Sequence, residues 1–121
     1  MADALSKCTV IVDGEDETNI KSVTEHEVEP GRAVPLMNKT VFAQKTKRYT
    51  LSIEYVPPVT GARDWSSLVT TDGTVIIEDE GGETTTYYGV RLLKRGEKKY
   101  DGDNDVVIPI DLMATRRDPE L

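Results

Sequence analysis

The chain has one histidine, His26, and one cysteine, Cys8. Nucleophilic or general-base catalysis by either needs a second group held within hydrogen-bond reach. The two are far apart in sequence, each sits in a stretch that reads as a strand, and their spacing names no partner. Cys8 reads as a small core residue and His26 as a satisfied or solvent-facing imidazole. Gly31, Gly61 and Gly96 stand alone, so no phosphate-cradling loop is present, and no Cys/His spacing suits zinc. In "DGDND", Asp101, Asp103 and Asp105 repeat the alternating oxygen donors that open a helix–loop–helix calcium site. The rest of that motif fails, because Val106 stands where the glycine is needed and Leu112 where the bidentate glutamate is needed. The stretch reads as a solvated turn, with cation binding left open. Glu78 and Glu80, beside Gly81-Gly82, read as solubilising carboxylates rather than an acid–base pair. The expectation is a protein without catalytic residues, metal or cofactor.

The bulk numbers narrow the partners. A length of 121 residues fits a single domain over 1–121, large enough to remove roughly two thirds of its unfolded surface from water. Fifteen Lys and Arg against 22 Asp and Glu give a net charge of -7, so a sequence-independent grip on nucleic-acid phosphates has no electrostatic basis. No apolar run is long enough to span a bilayer, and "MADALSKC" lacks the charged-then-apolar order of a secretion signal. Synthesis in a cytoplasm without membrane contact is expected. One cysteine permits no internal disulfide.

The elements read as β-structure. "CTVIVDG" alternates and ends in Asp13-Gly14, a turn dipeptide. "NIKSVTEHEVEPG" reads as a long second strand on which Glu25, Glu27 and Glu29 share a face, until Pro30-Gly31. "TKRYTLSIEYVPP" is the clearest alternation, with Tyr49, Leu51, Ile53 and Tyr55 on one side and Arg48, Thr50, Ser52 and Glu54 on the other. In "TGARDWSSLVTTDG", Trp65, Leu68 and Val69 have helical spacing behind Asp64, a fitting N-cap; one or two helical turns should cap an end of the sheet. "GTVIIEDEGGETTTYYGVRLLKRGE" reads as a hairpin around Gly81-Gly82, with Val75 and Ile77 inward on one arm and Tyr88, Val90 and Leu92 on the other. "VVIPIDLM" reads as a last strand from Val106 to Met113, apolar on both faces. Pro109 fits an edge or bulge position because it cannot donate to a ladder. Many short strands with one short helix predict an all-β sandwich or barrel.

Between the second and third strands lies "PGRAVPLMNKTVFAQK", an arm over about 30–45 that is too long and too apolar for a routine connection. Val34, Leu36, Met37, Val41 and Phe42 require cover. Two readings are open: a satellite core folded onto the sheet, or an arm that packs on another subunit.

The C-terminal half, from "GTVIIEDEGGETTTYYGVRL" through "DGDND" to "VVIPIDLMATRRDP", together with the opening "TVIVDGE", resembles the tail tube proteins of tailed bacteriophages. The resemblance lies in the order of elements and their punctuation, and it spans most of the chain. It implies a virion protein, made in the host cytoplasm, whose subunits form hexameric rings stacked into a hollow tail tube for DNA ejection. Strands of neighbouring subunits would continue one another, and the arm would reach an adjacent subunit or ring. Partners would be other copies, with sheath, baseplate and tape-measure proteins. Val107 and Met113 would be covered by neighbours, and Val106, Ile108, Ile110 and Leu112 by the subunit's own core. A lumen must not hold passing DNA, and a carboxylate wall repels phosphates. Glu25, Glu27, Glu29 and Glu54 are the candidates for that wall, with Arg48 a cationic departure on the same face. The neighbouring expectations are a tube initiator or terminator, and, from another class, a small cytoplasmic β-domain that binds a partner through its arm.

Overall fold

The computed structural model describes residues 7–28, 30–44, 47–100, 102 and 105–120. In chain order these form β1 (Cys8–Val12), β2 (Glu15–Glu17), β3 (Ile20–Glu25), β4 (Gly31–Pro35), β5 (Thr40–Gln44), β6 (Tyr49–Tyr55), α1 (Ser67–Thr70), β7 (Gly73–Asp79), β8 (Thr84–Arg95), β9 (Ile108–Ala114) and β10 (Arg116–Asp118). The fold is all-β with one short helix, as the punctuation of the sequence predicts. One antiparallel sheet runs β2-β1-β7-β8-β9-β6-β3, with β10 also paired to β8, and β4-β5 form a separate two-stranded hairpin.

Side-chain alternation builds the core. Tyr49, Leu51, Ile53 and Tyr55 of β6 are all buried, and their register partners on β9, from Ala114 to Ile108, are buried opposite them. Directly opposed residues share a face, so the two strands make one apolar surface. It packs with Val10 and Val12 of β1, Val75 and Ile77 of β7, Tyr87 and Val90 of β8, and Trp65 and Leu68 beside the helix. Each fully buried aliphatic side chain contributes about 1.5–3 kcal/mol. The Tyr49 ring on β6 and the Tyr87 ring on β8 meet edge to face at 6.3 Å.

The long strand β8 makes the sheet roll. Its first part, up to Val90, pairs with β7, and its second part, from Arg91, pairs with β9. At the change of partner stands Gly89, with φ +63. A Cβ there would lie 2.1 Å from Thr115 Oγ1, and Thr115 is the residue between β9 and β10 that donates its N–H to Tyr88 O at 3.0 Å. Glycine alone meets both demands, the left-handed backbone and the close approach. The extra residue shifts the parity of β8. Tyr87, opposite Val75, is buried, whereas Tyr88 is only half-buried and lies beneath the Arg116 guanidinium. The expectation that Tyr88 points inward is therefore corrected, because strict alternation cannot anticipate a bulge.

The helix is a single turn, within the one or two expected, with Leu68 buried and Val69 53% exposed. Three other expectations change. The second strand ends at Glu25, and Glu27 and Val28 lie beyond it. The last strand starts at Ile108 rather than Val106, which leaves Val107 outside it, and its outer face is Pro109, Asp111 and Met113. Pro109 is not on an edge strand: β9 lies between β6 and β8. Its carbonyl accepts from Gly96 N at 2.7 Å, where the β8 ladder ends, so the missing proline N–H removes one bond at the end of that ladder. In the expected cation turn, Asp101 and Asp103 lie outside the described residues.

The turns follow local chemistry. Asp13 and Gly14 have φ of 52 and 81, the two-residue turn that the Asp-Gly pair favours between β1 and β2. Asp13 Oδ1 accepts from Thr74 N at 2.9 Å and Asp13 N donates to Thr74 O at 2.8 Å, tying this turn to the start of β7.

Candidate assembly surface

The arm is a hairpin. β4 and β5 pair from Gly31↔Gln44 to Pro35↔Thr40, and Leu36 N donates to Lys39 O at 2.6 Å to close the turn. Val34 and Val41 face each other and are half-buried. Leu36 is 50%, Met37 99% and Phe42 70% exposed. None of these five joins the core cluster, so the satellite-core reading does not describe this chain. The Phe42 ring lies over Gly31, where a Cβ would meet its Cζ at 2.0 Å; the glycine lets the ring cross the hairpin. A lone two-stranded hairpin is marginally stable in water, and this one presents its apolar tip outward.

The remaining expected site residues do not come together. Met113 is in register with Thr50 and Arg91 on the outer face of the sheet, and Val107 is half-buried before β9. Glu54 lies on the outer face of β6, and Arg48 is exposed just before that strand. Glu25 is on the other face. It is opposite Leu51, and it shares that face with Val23, which packs against the core. Its Oε1 accepts from Tyr87 Oη at 2.5 Å. Desolvation, then this bond to a carboxylate, pushes the Tyr87 phenol up to about 12. Glu27 is exposed beyond the strand end, and Glu29 lies outside the described residues. The expected five-residue wall is thus not a single surface.

Two clusters were not foreseen. The first is a polar row across the outer face: His26 Nε2 is 2.6 Å from Ser52 Oγ, and Ser52 Oγ donates to Asp111 Oδ1 at 2.8 Å. Ser52 and Asp111 are register partners on β6 and β9. The serine has one proton and gives it to the carboxylate, so His26 Nε2 carries its own proton and donates to the serine. A serine nucleophile needs the opposite order, its proton passing to the imidazole. Cys8, expected in the core, is instead exposed at the start of β1; desolvation of the sulfur, then Glu25 and Asp79, push its thiol up, away from the reactive thiolate. Among the described residues, no group of three or more His, Cys, Asp or Glu side chains is placed to hold a metal ion.

The second cluster surrounds Arg63. Its Nε donates to Glu17 Oε2 at 2.9 Å and its Nη2 to Glu15 Oε2 at 3.1 Å, while its backbone N–H donates to Tyr55 Oη at 2.8 Å. This clamp ties the loop before α1 to β2. Beside it, Asp64 Oδ1 accepts from the Ser66 hydroxyl and the Ser66 N–H, and both bonds, the hydroxyl's first, hold the Asp64 carboxyl below its usual range. Glu15, Asp16, Glu17, Arg63 and Asp64 line a recess of about 400 Å³. A second recess of about 240 Å³ shares Arg63 and Asp64 and has Tyr55, Pro57 and Trp65 in its wall. Trp65 is 5% exposed and its Nε1 has no hydrogen-bond partner among the described residues.

The fold has counterparts among solved structures. The chain is similar over 97% of its length, and 95% of the other's, to the sheath/tube terminator of an extracellular contractile injection system, PVC, with a TM-score of 0.72 at 13% identity. The fold is that of contractile-injection tube components. The sheath–tube complex of the same system matches 92% of this chain and 86% of that one with a TM-score of 0.68 at 14% identity. The tube-terminating cap of the anti-feeding prophage matches 91% and 85% with a TM-score of 0.66 at 11% identity. No family model matches the sequence, and no curated protein matches it.

Proposed function

We propose that this chain is a structural, non-enzymatic subunit of a phage-tail-like tube, which assembles into rings, hexameric in the resemblance, that stack into or close a hollow conduit for DNA. The observation that carries the reading is the end-to-end likeness of fold to tube and terminator chains. The exposed apolar tip of the arm supports it, since a surface of this kind on a soluble domain marks an interface. On this reading Leu36, Met37 and Phe42 are covered by a neighbouring subunit, and sheath-type proteins are the outer partners. Localisation follows as part of a tail or injection particle.

A terminator role is the second reading. It is favoured by the fuller coverage and higher TM-score of the terminator match than of the sheath–tube match. Sedimentation velocity with negative-stain microscopy of the concentrated full-length protein tests both. Stacked tubes support the tube subunit, single closed rings support the terminator, and a strict monomer at high concentration refutes ring formation.

A further inference from the structure

The charges of this chain are divided in a way that its net value hides. From Pro30 to Ile53 there is no Asp or Glu, while Arg32, Lys39, Lys45, Lys47 and Arg48 fall within that stretch. It carries +5, leaving ten cations against 22 acids elsewhere, a net of -12. The arm is the centre of the cationic stretch. Its tip, Leu36 to Lys39, offers two exposed apolar side chains followed by an ammonium group.

The rest of the molecule has a concave counterpart. The recess beside β2 holds four carboxylates, Glu15, Asp16, Glu17 and Asp64, against the one guanidinium of Arg63. It opens beside the smaller recess walled by Tyr55, Pro57 and Trp65. The apolar wall sets this place apart from the chain's other acidic stretches: Trp65, almost fully buried, lines the adjoining recess with Tyr55 and Pro57. In another dense acidic stretch, Glu78 to Glu83, the Asp79 carboxylate already accepts from Gly81 N and Glu83 N. A projecting hairpin fits a recess better than another turn. Arg95 and Lys98 border the smaller recess, which directs a cation away from them toward Asp16 and Glu15.

We propose that the tip of the arm of one copy docks in this double recess of a second copy. Lys39 meets the carboxylates beside β2, and Leu36 and Met37 cover the Tyr55–Trp65 wall. This rests on the subunit-assembly reading above and adds the receiving surface, so that contacts between copies are head-to-tail and electrostatically keyed. A heterologous contact of this kind generates rings or filaments rather than closed pairs.

The test uses the full-length protein, with sedimentation velocity for association and the emission of Trp65, the sole tryptophan, for occupancy of the recess. Lys39→Glu and Asp16→Lys each weaken association by about tenfold or more, and the double variant recovers it, as expected of a directly facing charge pair. Wild-type association weakens with added salt, and the Trp65 emission changes with concentration. Both positions are exposed, so the thermal transition serves as the folding control. Met37→Asp, which places a carboxylate at the tip, is a second variant expected to weaken assembly. If wild type assembles but the single variants do so equally well, or the double variant stays as weak as the singles, the receiving site is wrong while the assembly reading stands. If wild type remains a monomer throughout, the assembly reading fails and takes this inference with it. Lys39-dependent binding to duplex DNA without self-association would also overturn it.

Discussion

Replacing Gly89 by alanine probes the bulge on which the rolled sheet depends. The native φ of +63 lies in the left-handed region, which costs an L residue about 1–2 kcal/mol. The new Cβ would stand 2.1 Å from Thr115 Oγ1, and relieving that overlap by moving Thr115 adds about 1–3 kcal/mol. Gly89→Ala should therefore destabilise the fold by about 2–5 kcal/mol. The two contributions are separable. Thr115→Ala removes the clashing oxygen and by itself loses only an exposed 3.3 Å bond to Tyr88 O, worth about 0.5 kcal/mol. In that background Gly89→Ala should cost only the backbone strain, about 1–2 kcal/mol, leaving a coupling energy of about 1–3 kcal/mol. The assay is equilibrium urea unfolding of the four species at monomeric concentrations, with unchanged m-values as the two-state check. A cost for Gly89→Ala below about 1 kcal/mol, or the same cost with and without Thr115, would refute the claim that this glycine pins the bulge.

Three other perturbations follow from the geometry. Leu36→Ser with Phe42→Ser, both at exposed sites, should change stability by only about 0.5 kcal/mol while reducing assembly in sedimentation; loss of the cooperative thermal transition would show that the arm belongs to the core. Arg63→Ala leaves the Glu17 side chain, 8% exposed, without its cation, and should cost about 2–3 kcal/mol in urea unfolding, whereas Glu15→Gln, at an exposed partner, should be close to neutral. Tyr87 ionises near 10 in the unfolded chain and at about 12 in the fold, so its stabilisation is complete below pH 10 and is lost as the pH rises through 12. Comparing wild type with Tyr87→Phe by thermal unfolding across that window should show the steeper decline in wild type, and parallel curves would refute the raised phenol.

Some of this protein was legible without coordinates, because short-range rules decide it. The alternation over 49–55 placed Tyr49, Leu51, Ile53 and Tyr55 in the core, because side chains on a strand alternate between faces whatever its neighbours. Asp13-Gly14 and Gly81-Gly82 marked their turns, since few other residues adopt the required backbone angles. The apolar residues of the arm were conspicuous in sequence, but burial alone could have been met by this chain or by another; only the coordinates show Leu36, Met37 and Phe42 facing outward. Glu25 was misread within a run of alternating glutamates, although Val23, two residues earlier, already claimed that face for the core. Tyr87 and Tyr88 could not be told apart by periodicity, because the bulge at Gly89 resets the count and arises from contact with Thr115, 26 residues further on. Ser52 with Asp111, and Arg63 with Glu15 and Glu17, are pairs made by strand register and by a loop crossing the sheet. Sequence spacing carries periodicity along one strand, whereas which strands become neighbours, and at what register, is set by packing the whole apolar surface at once.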